Sequence, residues 1–387
     1  MDFSLLSAFI ENHLDDNPNE LALKKPKVPE GLDFRFALEQ IVLQKKAKIK
    51  LPTFYEKRCF YTTKAFEQST AEAVAIYKAG LFSGDVLIDL SGGLGVDDWA
   101  FAKSFRQVIA LDPDENLNEL VRYNYSLLGI SNIERITTTA EAYLPHIPEN
   151  STVYIDPDRR DKQGNRKLLL ENCTPNILAF VPFLQKRNCK VIIKLSPMFD
   201  TAEVRRKLEG TSTIYAIAYK NELKELLVVC DETKHENLVA VNISNAGLEI
   251  FQNINSDVVP DQCIGNEPFF FEPNAPIIKL KLWKEYAASL GLKIFNYNTA
   301  FLSGDEQLEH FFGRQFRLQA TLSGNIKQIA EYLKMNGITK ANITTRNYFD
   351  DVEAIRKKLK IADGGEDYLM FFRDEKDLGK VVHCRKV

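Results

Sequence analysis

The segment Val86-Leu-Ile-Asp89-Leu-Ser-Gly-Gly-Leu-Gly95-Val-Asp97 constrains this chain more than any other. An apolar run ends in an acid, a turn of small residues follows, and a helix begins. Glycine permits positive φ and leaves room for a bulky group to approach the backbone. A second apolar run ends at Ala110-Leu-Asp112, about 20 residues after the first acid, where an acid grips a ribose in nucleotide-binding α/β folds. Together the two strand ends point to a nucleotide-type cofactor on a parallel sheet.

The spacing also narrows the cofactor. In a dinucleotide fingerprint, Gly-x-Gly-x-x-Gly, the pyrophosphate sits at the helix N-terminus. Gly93 and Gly95 occupy its first two positions, but Asp98 stands at the third. Acids at both ends of the loop, Asp89 and then Asp97 and Asp98, repel a pyrophosphate and suit a ligand with a cationic end. No Gly-Lys-Ser/Thr follows, which excludes a phosphate-binding P-loop. The segment resembles the first motif of class I S-adenosylmethionine-dependent methyltransferases, Asp-x-Gly-x-Gly-x-Gly, with Ser91 in place of its first glycine.

The chain has 387 residues, enough for two or three domains, and 45% are apolar. Its net charge of −3 gives no global basic bias, so an RNA partner requires local positive charge. The six cysteines show neither C-x-x-C nor zinc spacing and read as reduced thiols of a cytoplasmic protein without a metal site. The first residues lack signal-peptide character, and no apolar run reaches transmembrane length.

Residues 1–64 read as a helical region. A Lys/Arg cluster (Lys45, Lys46, Lys48, Lys50, Lys57, Arg58) among aromatics suits either nucleic acid or solvent. One helix is expected from Ala65 to Lys78, with Ser69 and Glu72 as a capping box. From about 85 to 231 strands and helices alternate, the pattern of a parallel sheet covered on both faces. The strands expected are 86–90, 107–111, 133–137, 152–155 and 190–195, with a closing hairpin of 213–218 and 225–229. A further hairpin is expected over 238–254. The proline- and asparagine-rich stretch 257–276 reads as a linker, and an α+β region follows it.

A second constellation, Asp156-Pro157-Asp158-Arg159-Arg160-Asp161, ends the fourth strand on the same edge as the glycine turn. Ligands of open α/β sheets bind off this edge. Asp156-Pro157 matches the start of the Asp-Pro-Pro-Tyr motif of amino-group methyltransferases, whereas Asp158 and Arg159 replace its second proline and its base-stacking aromatic. A carboxylate here can accept the proton of an attacking N–H or O–H, with Asp156 the first choice and Asp158 the second. Arg159 and Arg160 can clamp a phosphate or pair with the neighbouring acids. Lys194 interrupts a buried strand on the same rim and can approach substrate, pair with Asp156, or reach solvent.

Glu67-Gln-Ser-Thr, the glycine turn and Ile155-Asp-Pro-Asp-Arg-Arg-Asp161 together resemble a bacterial family of class I methyltransferases with a THUMP-like C-terminal domain. The resemblance covers the chain. It implies an α/β fold with a Rossmann-like seven-stranded methyltransferase sheet over 65–256, a ferredoxin-like segment over 277–318 and a THUMP-like domain over 319–387. It implies S-adenosyl-L-methionine as cofactor, held by Asp89, Ser91, Gly93, Gly95, Asp97 and Asp112. Thr139, Ala140 and Glu141 after the third strand, and Gln68 before the first, complete that set by position. THUMP domains are RNA-binding modules of tRNA-modifying enzymes, so the resemblance implies an RNA acceptor, tRNA or rRNA. An RNA-binding protein whose methyltransferase fold no longer catalyses is the alternative, because the Asp-Pro-Pro-Tyr pattern is altered.

Overall fold

A computed structural model describes residues 3–24, 26, 28–158, 169–231, 237–253, 260–262, 267–374 and 376–387. The chain forms two compact units, one of residues 1–214 and 225–236, the other of 215–224 and 237–387.

The first unit is organised by a sheet. Its strands are β1 (Gly84–Asp89), β2 (Phe105–Asp112), β3 (Ile133–Thr137), β4 (Thr152–Ile155), β5 (Lys190–Leu195), β6 (Thr211–Tyr219) and β7 (Glu222–Cys230). They lie in the order β3-β2-β1-β4-β5-β7-β6. β1 to β5 are parallel and β7 runs antiparallel to β5. The unit boundary cuts the β6–β7 hairpin. The central strands are near-continuous apolar runs, as burial on both faces demands. Leu87, Ile88, Val153, Ile155, Val191 and Ile193 are fully enclosed. Register places Asp89 beside Ala110 on one side and Tyr154 on the other, so the tips of β1, β2 and β4 open on one edge.

The N-terminal helices belong to this unit. Gln40 and Gln44, on the helix Phe34–Lys50, are buried and hold the extended stretch 59–61. Gln40 exchanges hydrogen bonds with the Tyr61 backbone at 2.6 and 2.9 Å, and Gln44 donates to the Cys59 carbonyl at 2.7 Å. Asn124 straps Phe60 in the same way from the other side, at 2.8 Å for both bonds. In the basic cluster, Lys45 and Lys50 bind the backbone carbonyls of Asp16 and Phe66.

The single helix expected over 65–78 is instead two, Thr63–Gln68 and Glu72–Ala79, separated by extended backbone at Ser69 and Ala71. Ser69 does not cap the second helix; its hydroxyl donates back to the Phe66 carbonyl at 2.8 Å. Glu72 serves Thr53, accepting from its backbone N–H at 2.9 Å and from its hydroxyl. The capping-box pattern yields to this tertiary partner.

The second unit contains the antiparallel hairpin of β8 (Asn237–Ser244) and β9 (Gly247–Gln252), which follows β6 in the strand order, so that the sheet has nine strands where seven were expected. It also contains β10 (Phe269–Pro273), β11 (Lys293–Asn296), β12 (Thr299–Gly304), β13 (Gly313–Ser323), β14 (Asn342–Arg346), β15 (Asp367–Arg373) and β16 (Gly379–Lys386). These last seven form one sheet, β11-β12-β10-β13-β16-β15-β14, with only β14 and β15 parallel. Two helices, Ile326–Met335 and Val352–Leu359, place Ile329, Leu333, Ile355 and Leu359 on Leu369, Phe371 and Val381. The opposite face packs Phe270, Phe301, Phe316, Met370 and Phe372 together.

Two expected boundaries change. Residues 269–273, inside the expected linker, are a strand paired on both sides, with β12 and with β13. Three consecutive phenylalanines supply enough burial to outweigh the flanking prolines, and Pro273 sits at the strand's last position, where a missing N–H is tolerated. The expected division at 318/319 falls inside β13, which pairs with β10 and β16 along its length. Among the described residues no helix is long and apolar enough to cross a membrane. Cys59, Cys173, Cys189, Cys230 and Cys384 are buried and unbridged.

Candidate active site

The turn after β1 takes its shape from two left-handed residues, Gly93 (φ +49°) and Gly95 (φ +75°). They are glycines for different reasons. A Cβ on Gly95 would lie 2.1 Å from the Tyr125 hydroxyl, so packing alone forbids it. At Gly93 the nearest neighbour would be the Ser91 carbonyl at 3.7 Å, and only the backbone conformation selects glycine. Ser91, the departure from the motif glycine, is a bridge. Its N–H and hydroxyl donate to Asp89 at 2.7 and 2.9 Å, and its hydroxyl accepts from the Asp156 N–H at 2.6 Å. One small polar side chain thus joins the tips of β1 and β4.

The loop acids have partners inside the protein. Arg135, on β3 and fully enclosed, donates to Asp98 at 3.2 Å, to Asn118 at 2.6 Å and to the Gly93 carbonyl. Tyr125 donates to the same Asp98 oxygen at 3.0 Å. Burial, and after it the neighbouring Asp98 charge, raises Asp89 well above the ordinary carboxylate range, and burial raises Asp98 as well. The two buried carboxyls titrate as a pair.

Asp97 faces a second buried group. Lys78, with no solvent exposure, lies 3.0 Å from Asp97, 3.0 Å from Glu225 and 3.0 Å from the Tyr154 hydroxyl. Tyr154 and Thr70 donate to Asp97 at 2.9 and 2.8 Å. Burial alone would raise the Asp97 carboxyl, but Lys78, Lys194 and these hydrogen bonds hold it below its usual value. Burial dominates at Glu225 and raises it despite both lysines. The break between the two helices before β1 is what lets Thr70 reach Asp97. Two of the loop acids expected to suit a cationic ligand thus already have an enclosed cation each, Lys78 for Asp97 and Arg135 for Asp98.

On the β4 side, Asp156 is ion-paired with Lys194, the side chains being 35% and 14% exposed. Parallel pairing of Ile155 with Ile193 sets the two residues side by side. Burial would lower Lys194, yet Asp156, Asp97 and Glu225 together hold it above the ordinary lysine range. Of the three readings of Lys194, the pairing with Asp156 is the one seen. The Asp158 backbone forms a two-way bridge with Thr174, at 2.8 and 3.0 Å. Arg159 and Arg160 lie outside the described residues.

On the β2 side, Asp112 accepts from the Gly93 N–H at 3.1 Å and the Asp114 N–H at 2.9 Å, with its carboxylate partly exposed. Arg135 stands 3.9 Å away. Thr139 caps the short helix Ala140–Tyr143, accepting from the Ala142 N–H at 3.2 Å. Ala140 is buried, Glu141 is exposed, and Gln68 is exposed at its helix end. Ser91, Gly93, Asp112, Asp156 and Lys194 therefore gather along the tips of β1, β2, β4 and β5. Sequence reasoning missed Lys78, Tyr125, Arg135, Tyr154 and Glu225. A charged residue in the apolar strand Ile133–Thr137 was a usable signal for Arg135. Glu225 lies 147 positions from Lys78, beyond the reach of any local pattern.

Residues 313–386 match the THUMP domain-like family. Over 333 residues the chain is 25% identical to an uncharacterized S-adenosylmethionine-dependent methyltransferase of Mycobacterium tuberculosis, covering 84% of this chain and 88% of that protein. Over 191 residues it is 24% identical to an uncharacterized RNA methyltransferase of Streptococcus pyogenes, covering 46% of this chain and 39% of that one. The crystal structure of a proposed methyltransferase from Porphyromonas gingivalis W83 superposes with a TM-score of 0.84 at 22% identity, covering 100% of this chain and 99% of that one. This likeness establishes the fold. Residues 313–386 are thus a THUMP-like domain, carried by a chain with a methyltransferase fold that is related to S-adenosylmethionine-dependent methyltransferases.

Proposed function

We propose that this chain is an S-adenosylmethionine-dependent methyltransferase whose acceptor is a structured RNA. The observation that carries the reading is the pair of partly exposed carboxylates at the tips of β2 and β4, the strands on either side of β1. Asp112 is oriented by the Gly93 N–H, and Asp156 is oriented by Lys194, with Ser91 tying the β1 turn to the β4 tip. The donor set fits the cofactor. Asp112 has acceptor positions left for the two hydroxyls of a ribose. The left-handed turn at Gly93 has no side chain to obstruct an approach. Asp97 and Asp98 are paired with enclosed cations, which leaves Asp112 and Asp156 as the carboxylates that reach the crevice.

When bound, the cofactor supplies an electrophilic methyl carbon, and catalysis of an in-line displacement is mostly alignment. Asp112 and the backbone around Gly93 hold the nucleoside end. Asp156 accepts a hydrogen bond from the acceptor N–H or O–H and takes its proton at Oδ. Lys194 fixes that carboxylate's orientation. The RNA part of the reading is supported by the THUMP-like domain and by the Streptococcus pyogenes relative.

The test is methyl transfer from labelled S-adenosylmethionine to RNA from cells lacking the protein, with mass spectrometry of the nucleosides. One methylated nucleoside absent from those cells and restored by the purified protein is the expected result. A second reading, an RNA-binding protein that no longer catalyses, draws on the ion pair that occupies Asp156. It predicts RNA binding with no label incorporated.

A further inference from the structure

We propose that Met198 is the residue on which the planar acceptor base rests, in place of the aromatic missing after Asp156-Pro157. This deepens the methyltransferase reading and rests on it.

The placement follows from β5. Lys194 pairs with Asp156, and the chain then leaves the strand through Ser196-Pro197-Met198-Phe199 on the same edge of the sheet. The turn is held at both ends. The Ser196 hydroxyl accepts from the Met198 N–H at 3.3 Å, and the Ser196 carbonyl accepts from the Phe199 N–H at 3.2 Å. Phe199 is buried at 2% exposure and anchors the turn in the core. Met198 is left 65% exposed, an apolar side chain turned outward between two fixed neighbours. On the β4 side, Asp158 occupies the second-proline position of the motif, and its backbone is bridged to Thr174. The described part of that loop therefore offers no aromatic face beside Asp156.

An unbranched thioether suits the task. It is polarizable, adapts to the flat face of a ring and gains from contact with an aromatic system. The occupant argued for is a nucleobase rather than an apolar peptide side chain. Lys194 and Asp156 next to the turn favour a ring with polar edges.

The test exploits the small number of methionines. The chain has four, and among them Met335 is 82% exposed in the second unit while Met370 is buried there. The full chain labelled at its methionine methyl carbons is observed by NMR, with Met198→Leu identifying the Met198 signal by its loss. The four nucleoside 5′-monophosphates are then added singly in the presence of S-adenosylhomocysteine. The expected result is an upfield ring-current shift of the Met198 methyl with at least one of them, leaving Met335 in place. No movement of Met198, or equal movement of Met335, overturns the proposal. S-adenosylhomocysteine binding, measured by calorimetry on the same sample, separates this failure from failure of the methyltransferase reading. In transfer assays Met198→Ala is expected to raise KM for RNA by up to about tenfold, with Met198→Leu close to wild type. A fall in kcat with KM unchanged also contradicts it.

Discussion

Lys78 and Asp97 meet 3.0 Å apart with the ammonium wholly enclosed, so the acid after the glycine turn is engaged within the protein and is not free for a ligand. Glu225 flanks the same ammonium at 3.0 Å, and Tyr154 and Thr70 complete the group. Three distant segments, the helix before β1, the turn after it and strand β7, are locked together beneath the candidate crevice.

Removing that ammonium leaves two enclosed carboxylates without the cation they touch, opposed only by the charge of Lys194. Lys78→Met is expected to destabilise the first unit by about 3–5 kcal/mol, the range for breaking a buried pair. Urea denaturation followed by intrinsic fluorescence measures it. Adding Glu225→Gln to Lys78→Met is expected to recover part of the loss, because the two residues share one network.

Asp89 gives a pH signature of a defined sign. Burial and Asp98 raise its folded-state value well above 3.8, so the native state holds a proton that the unfolded chain releases. Stability then falls as pH rises from the unfolded value through the folded one. Asp97 acts oppositely: its lowered value contributes stability that is present above 3.8 and is lost as pH falls through the folded value. Asp89→Asn keeps an acceptor for Ser91 and is expected to flatten the decline above the carboxylate range. Denaturation midpoints across pH 4–8 check this, and an unchanged slope contradicts it.

The two left-handed glycines separate packing from backbone strain. Gly95→Ala meets the Tyr125 hydroxyl at 2.1 Å as well as an unfavourable φ, and a cost of about 3 kcal/mol or more is expected. Gly93→Ala meets nothing closer than 3.7 Å, so about 1–2 kcal/mol is expected from conformation alone. Thermal unfolding of both variants gives the comparison.

Asp156→Asn separates chemistry from binding. It retains the position of the side chain and removes the proton acceptor. Methyl transfer is expected to fall by about 10²–10⁴, with S-adenosylhomocysteine binding within a factor of two of wild type. Parallel transfer assays and calorimetry read both quantities.

What could be read before the structure was what local pattern encodes. β1 to β7 lie in apolar runs bounded by turn residues, and Asp89, Asp112 and Asp156 stand at the ends of such runs. The buried ion groups were not legible. Lys78 ends an ordinary-looking helix, and nothing near it in sequence announces Glu225 or Tyr154. The capping-box pattern at Ser69 and Glu72 misled because Thr53, a tertiary partner, takes the glutamate. Phe269–Pro273 was hidden by surrounding prolines, whose local signal is weaker than the burial of Phe270 and Phe271 in a seven-stranded sheet. At Gly95 the structure adds a packing reason that the local sequence does not announce, the Tyr125 hydroxyl 2.1 Å from where a Cβ would stand.

The account depends on Asp112 gripping an adenosine-bearing cofactor, and calorimetry of S-adenosylhomocysteine with the wild-type chain and Asp112→Ala tests it most directly. Saturable binding to the wild type, weakened about tenfold or more in the variant, is the predicted result. Equal heats for both proteins, or none for either, would contradict it.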